Sequence, residues 1–335
     1  MAVSIREVAA AASVSVGTVS NVLNRPEIVS PATVAQVQAA ISRLGFIRNE
    51  AARQLRAGKS RSIGMLVLDI GNPFFTDVAR GAEDRAAAAG MTLLLGNSDT
   101  NSHRELSYLE LFEEQRVHGL LVTPVGDDLT FLDRIRNYGT PVVLVDRATD
   151  RKDLSSVSVD DVAGGFLAAQ HLLNTGRRRL AFVGGPGSIR QVADRLAGAR
   201  KAVAGQPDAT LEYVFVQSMS VVQGRVVGTA IGSRELTDRP DAVFAANDLL
   251  AIGVLQGLVM HGNIRVPEDI ALIGYDDIDF ASAAVVPLSS IRQPSTHMGY
   301  VGVDLLMREA ADGPGFQHEH LVLQPELVVR GSTVA

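Results

Sequence analysis

The sequence predicts a small all-α head followed by a two-lobed α/β body built on parallel sheets. Three observations predict it. Capped helical segments crowd the first 45 residues, and from Ser62 onward short Val/Ile/Leu-rich runs alternate with amphipathic stretches. The sign of the charge also reverses between the two regions. Residues 1–62 carry a net +5 within a chain of net charge −6, which leaves −11 on the remainder. A basic head on an acidic body fits a head that meets phosphate and a body kept off it.

The head begins at Ser4-Ile-Arg-Glu7, a capping box in which hydroxyl and carboxylate satisfy free amides at a helix start. The helix it opens, about 5–12, places Ile5, Val8, Ala9 and Ala12 on one face. Ser15 then caps a second helix, about 16–24, with Val19, Val22 and Leu23 inward and Val16, Gly17, Thr18, Ser20 and Asn21 outward. Ser30-Pro31 starts a third, ended by Gly45. Two short helices joined tightly and braced by a third form a helix-turn-helix module, whose second helix is small and polar enough to enter a major groove.

The segment Asn49-Glu-Ala-Ala-Arg-Gln-Leu-Arg-Ala-Gly58 reads as a short hinge helix, too short to be stable alone. Leu55, between Arg53 and Arg56, has the chemistry of a minor-groove wedge with phosphate clamps. A plain linker is the rival reading.

In the body, SIGMLVLDI, MTLLLGNSD, GLLVTPV, PVVLVDR, RLAFVGG, EYVFVQ, DAVFAAND and IALIGYDD read as buried parallel strands. Helical patterns fall near 74–89, 102–116, 163–175, 191–204, 220–236 and 248–261. So many units exceed one comfortable sheet. Two lobes are expected, about 62–160 with 291–322 and about 161–290 with 323–335. Ligands of such sheets bind beyond the carboxyl ends of the strands. Those ends supply Asp69 to Phe75, Asn97 to Asp99, Thr123, Asp146-Arg147, Gly185 to Arg195, Asn247-Asp248 and Asp276-Asp277. Carboxylates, amides and arginines beside Phe74 and Phe75 suit a polyhydroxylated ligand, with a ring covering its apolar face. Taken singly, Asp248 reads as the cap of the next helix and Asp277 as a turn residue.

Other functions fit poorly. Without cysteine there are no disulfides, thiolate metal sites or cysteine nucleophiles. Gly58-Lys59-Ser60 lacks the leading glycine of a phosphate loop, and no GxGxxG follows the first body strand. His318-Glu-His320 has no third ligand in view and reads as a solvated turn. No enzyme, cofactor or metal is therefore expected. No long charge-free stretch and no secretory leader are seen, so a cytoplasmic, membrane-free protein is expected.

The strings VAAAASVSVGTVSNVLNRPEIVS and NEAARQLRAGKSRSIGMLV resemble the lac repressor/galactose repressor (LacI/GalR) family, and the resemblance continues over nearly the whole chain. It implies a helix-turn-helix domain (1–48), a hinge helix and linker (49–61) and a periplasmic-binding-protein-like effector domain (62–335). By this resemblance Val16, Gly17 and Asn21 sit at base-reading positions, Thr18 and Ser20 lie near the backbone, and Leu55 matches a lever inserted at an operator's centre. Ser4, Ser15, Asn49, Ala52 and Arg56 complete the expected DNA-binding set. NPFF, GPGSIRQVADRLAG, FAAND and LIGYDD resemble the family's ligand-site segments, which implies effector contacts at Phe74, Phe75, Asp146, Arg190, Arg195, Asn247, Asp276 and Gln293. Val16, Gly17 and Met219 depart from the larger polar or aromatic residues common at those positions. The implied function is a ligand-modulated repressor that binds a near-palindromic operator. With no leucine heptads after HLVLQPELVVRGSTVA, a homodimer is expected rather than a coiled-coil tetramer.

Overall fold

The computed structural model describes residues 3–46, 60–262 and 264–334. The expected hinge helix, with Asn49, Ala52, Leu55 and Arg56, lies outside the described residues. The chain divides into two compact units, 1–60 and 61–335.

In the first unit, α1 (Ile5–Ala11), α2 (Val16–Asn24) and α3 (Pro31–Leu44) enclose Val8, Ala9, Ala12, Val19, Val22, Val37 and Ala40. Each start is capped as the sequence requires. Ser4 Oγ accepts from Glu7 N at 3.3 Å while Glu7 Oε2 accepts from Ser4 N at 2.7 Å, and Ser15 Oγ accepts from Thr18 N at 3.0 Å. Gly45, at φ 63°, turns the chain out of α3 through a left-handed conformation that a β-carbon would penalise.

The second unit holds two six-stranded sheets. The first lobe uses β1 (Ser62–Val67), β2 (Thr92–Asn97), β3 (Gly119–Val122), β4 (Val142–Val145) and β5 (Ser155–Val159). The second uses β6 (Arg179–Gly184), β7 (Thr210–Phe215), β8 (Ala242–Ala245), β9 (Ala271–Asp276) and β10 (Ser289–Arg292). The last two strands are divided between the lobes. β11 (His320–Leu323) joins the first in the order β11-β5-β4-β3-β1-β2, and β12 (Glu326–Val328) joins the second as β12-β10-β9-β8-β6-β7. Every pairing is parallel except β10 with β12. The chain passes between lobes at Asp160, at Gln293-Pro294 and at Gln324-Pro325.

Helices cover both faces of these sheets, which explains the nearly unbroken apolar strands. Helix pairs approach closely where glycines meet. A β-carbon on Gly299 would lie 1.8 Å from the Val78 carbonyl oxygen, and one on Gly81 would lie 1.8 Å from that of Thr296. These contacts lock Ser295–Asp312 against Pro73–Ala88 on the first sheet. Gly224 and Gly253 join Val221–Gly232 to Asp248–Gly262 in the second lobe in the same way.

Several elements escape the sequence reading, among them β5, β10 and the helices Thr130–Asn137 and Ser295–Asp312. Strand β5, SSVSV, carries buried serines where valine or isoleucine would be expected. Ser155 and Ser156 are satisfied by His318 and His320 at 3.3 and 3.1 Å, so these histidines are structural partners of β5 rather than a solvated turn. Helix Ser295–Asp312 has no side-chain cap, and glycines interrupt its apolar stripe.

Candidate functional site

The head presents a surface at the start of α2. Val16, Gly17 and Asn21 are exposed, whereas Thr18 and Ser20 are half-buried. The Thr18 hydroxyl lies 2.9 Å from the Ser15 hydroxyl, and the Ser20 hydroxyl accepts from Asn24 Nδ2 at 3.3 Å. Asn21 and the Val16 methyls therefore form the outward chemistry of this helix, with Gly17 leaving room for close approach. Ser4 and Ser15 sit at the N-terminal ends of α1 and α2, where free amides and helix dipoles favour phosphate.

A cleft of about 710 Å³, open mouth included, separates the carboxyl ends of the two sheets. Phe74 and Phe75 enter from the first lobe, packed edge to face with ring centroids 5.0 Å apart. They are held there by Asn72, which caps their helix through its Oδ1 and the Phe74 amide at 3.1 Å. Pro186, Ile189 and Met219 face the cleft from the second lobe. Several strand ends bordering the site adopt left-handed backbone, with φ 53° at Asp99, 56° at Asp146 and 104° at Asp276. Such strain concentrates where side chains must be aimed at a ligand.

The polar centre is Arg195, buried with its guanidinium carbon 3.7 Å from the centre of the Tyr275 ring. Its Nε donates to Asp161 Oδ1 at 2.7 Å and its Nη1 donates to the Ala246 carbonyl at 2.7 Å, with Asp276 Oδ1 at 3.8 Å. Asp276 Oδ2 accepts from Asn72 Nδ2 at 2.9 Å and its Oδ1 accepts from Gln293 Nε2 at 2.7 Å. On the first lobe, Asp146 accepts from Gln191 Nε2 through its Oδ2, whereas its buried Oδ1 has no hydrogen-bond partner among the described residues. Burial pushes the Asp146 carboxyl well above the usual carboxylate range, and the negative charges of Asp161 and Asp276 push it further against the pull of Arg195. Burial likewise raises Asp276 and Asp161, opposed by Arg195.

Of the expected effector contacts, Phe74, Phe75, Asp146, Arg195, Asn247 and Asp276 line the cleft. Arg190 does not: its exposed side chain turns along its own helix to Asp194 at 3.4 Å. Gln293 stands behind Asp276 as its hydrogen-bond donor. Asn247 Oδ1 accepts from Leu250 N at 2.9 Å, so Asn247 caps the following helix. Asp248 is therefore not that cap. It is fully buried and accepts from Ser290 Oγ and the Ile278 amide at 2.7 and 2.9 Å. Gln191 falls at the start of the 191–204 helical pattern and Asp161 just ahead of the 163–175 one, so neither stands out singly in the sequence, and only the lobe arrangement shows their partners. Among the described residues no group of His, Asp or Glu is placed to hold a metal ion, and no helix is long and apolar enough to cross a membrane.

Residues 4–49 match the model of bacterial regulatory proteins of the lacI family, and residues 169–333 match that of a periplasmic binding protein-like domain. The chain is 35% identical to the ribose operon repressor of Escherichia coli strain K12 over 332 residues, covering 98% of each protein. It aligns with a crystal structure of the lac repressor dimer bound to operator and an anti-inducer at a TM-score of 0.84 and 26% identity, covering 100% of both chains. A lacI-family regulator from Enterococcus faecium with bound ribose matches at a TM-score of 0.74 and 28% identity, over 81% of this chain and 98% of that one. With the helix-turn-helix unit, the two parallel-sheet lobes and full-length similarity in agreement, the chain belongs to the lacI family of bacterial regulatory proteins and is a DNA-binding transcriptional regulator, not an enzyme.

Proposed function

We propose that the protein is a cytoplasmic repressor that binds a near-palindromic operator as a homodimer, with its affinity set by a sugar-like polyol in the interlobe cleft. The observation that carries the ligand class is the pairing of Phe74 and Phe75 with Asp146, Arg195, Asn247 and Asp276 in one cleft. Aromatic faces cover the apolar side of a sugar ring, and the acids and the amide meet its hydroxyls. Gln293 acts one layer out, through Asp276, whereas Arg190 is turned to Asp194 and takes no direct part. In the head, Val16, Gly17 and Asn21 read bases. Ser4, Ser15, Thr18, Ser20, Asn49, Ala52 and Arg56 position the backbone, and Leu55 wedges the operator's centre. We assign 1–48 to DNA reading, 49–61 to the hinge and 62–335 to the effector domain, following the sequence division.

The test is a fluorescence titration of the full chain on its own upstream DNA, with and without a panel of sugars. Tight, competitor-resistant binding altered by one sugar is expected. Weak, sequence-indifferent binding would refute the operator reading, and specific binding blind to every sugar would refute the effector class. Leu55→Ala should weaken operator binding and leave sugar binding intact.

A further inference from the structure

The charge balance of the cleft goes beyond its fit to hydroxyls. Among the lining residues, Asp69, Asp99, Asp146 and Asp276 are acidic, and Arg195 is the one cation. That cation is already engaged by Asp161 at 2.7 Å. Two of the acids are settled locally: Asp99 pairs with Arg104 at 2.8 Å, and Asp69 accepts from the Gly71 amide at 2.8 Å. Two are not. Asp146 and Asp276 are buried on opposite walls and take hydrogen bonds from neutral amides, those of Gln191, Asn72 and Gln293, while Asp276, at 3.8 Å, shares Arg195 with Asp161. The guanidiniums nearest in sequence face elsewhere, with Arg147 paired to Asp127 and Arg190 turned to Asp194. Asp146 Oδ1, with no hydrogen-bond partner among the described residues, offers a ligand an acceptor site.

We propose, building on the sugar-like reading of this cleft, that it admits an unphosphorylated polyol and rejects the phosphate ester of the same compound. Burial and mutual proximity already disfavour negative charge on Asp146 and Asp276, so a phosphate dianion placed here adds charge to a region that resists it and finds no uncommitted arginine. A neutral hydroxyl meets the same acids as donor or acceptor without adding charge. The regulator would then report the substrate of a phosphoryl-transfer step, not its product.

Isothermal titration calorimetry on the full chain, comparing ribose with ribose 5-phosphate, glucose with glucose 6-phosphate and fructose with fructose 6-phosphate, tests this. The expected result is binding of at least one free sugar, with its ester weaker by tenfold or more. In Asp146→Asn that ratio should narrow, even as the free sugar binds less tightly. An ester that binds as well as or better than its parent sugar overturns the charge argument while leaving the sugar-like reading intact. Absence of heat from all six compounds overturns both.

Discussion

Gln191, on the second lobe, reaches across the cleft and donates to both the main-chain carbonyl and the Oδ2 of Asp146, on the first, at 2.6 and 2.8 Å. The carboxylate that faces the ligand space is thus also a bridge between the lobes. Asn72 and Asp276 repeat the arrangement in the opposite sense, with the amide on the first lobe and the acid on the second. Removing Gln191 leaves two buried acceptors unsatisfied, at a cost of about 1–3 kcal/mol each. Gln191→Ala should lower the urea midpoint of the ligand-free protein and enlarge its radius of gyration in small-angle scattering. An unchanged scattering profile would mean that the bridge does not govern lobe closure.

Asp161 is the buried counter-charge of Arg195 and stands at the first crossing between lobes. Asp161→Ala strands a buried guanidinium and should cost about 3–5 kcal/mol in chemical unfolding. The double variant Asp161→Leu/Arg195→Met should recover much of that loss. If the single variant were as stable as the parent, Asp276 alone would suffice to neutralise Arg195.

Gly299→Ala should separate two helices of the first lobe, because its new methyl group would overlap the Val78 carbonyl. A loss of about 1–3 kcal/mol or more is expected from such overpacking. Gly126→Ala, where nothing lies within 4 Å of the added carbon, serves as the control and should be nearly neutral in the same melt.

Burial raises the Glu309 carboxyl from 4.5 to about 7, with Arg136 opposing the shift. His318 Nδ1 lies 3.8 Å away, and burial lowers its own pKa, so at neutral pH it supplies no counter-charge. The folded state holds the Glu309 proton to higher pH than the unfolded chain does. Its contribution is complete below about pH 4.5 and is lost as pH rises through about 7. Wild type should therefore lose thermal stability relative to Glu309→Gln between pH 5 and pH 8, and a pH-independent difference would show that Glu309 ionises at its ordinary value.

These residues also show what the sequence made legible. Caps, proline starts and the αL glycine are local, so α1 to α3 could be read closely from Ser4, Ser15, Ser30 and Gly45. Apolar strands such as GLLV and VVLV announce themselves by composition. Strand β5 does not, because its serines are satisfied by His318 and His320, more than 160 positions away. Asp248 was misread for the same reason: a carboxylate at a helix start resembles a cap until Ser290 is seen beside it. Strand ends named the cleft's walls, but the bridging partners Gln191 and Asn72 emerge only when the two lobes face each other.

The division of the last two strands has a consequence for synthesis on the ribosome. Neither lobe is a contiguous stretch of chain, since β11 forms an edge of the first sheet and β12 an edge of the second. Nascent chains ending before residue 320 leave β5 and β10, interior strands of the finished sheets, as edges, and exposed edges invite pairing with other chains. Completion of the two lobes is therefore nearly simultaneous, and a frameshift or nonsense change before residue 320 damages both at once.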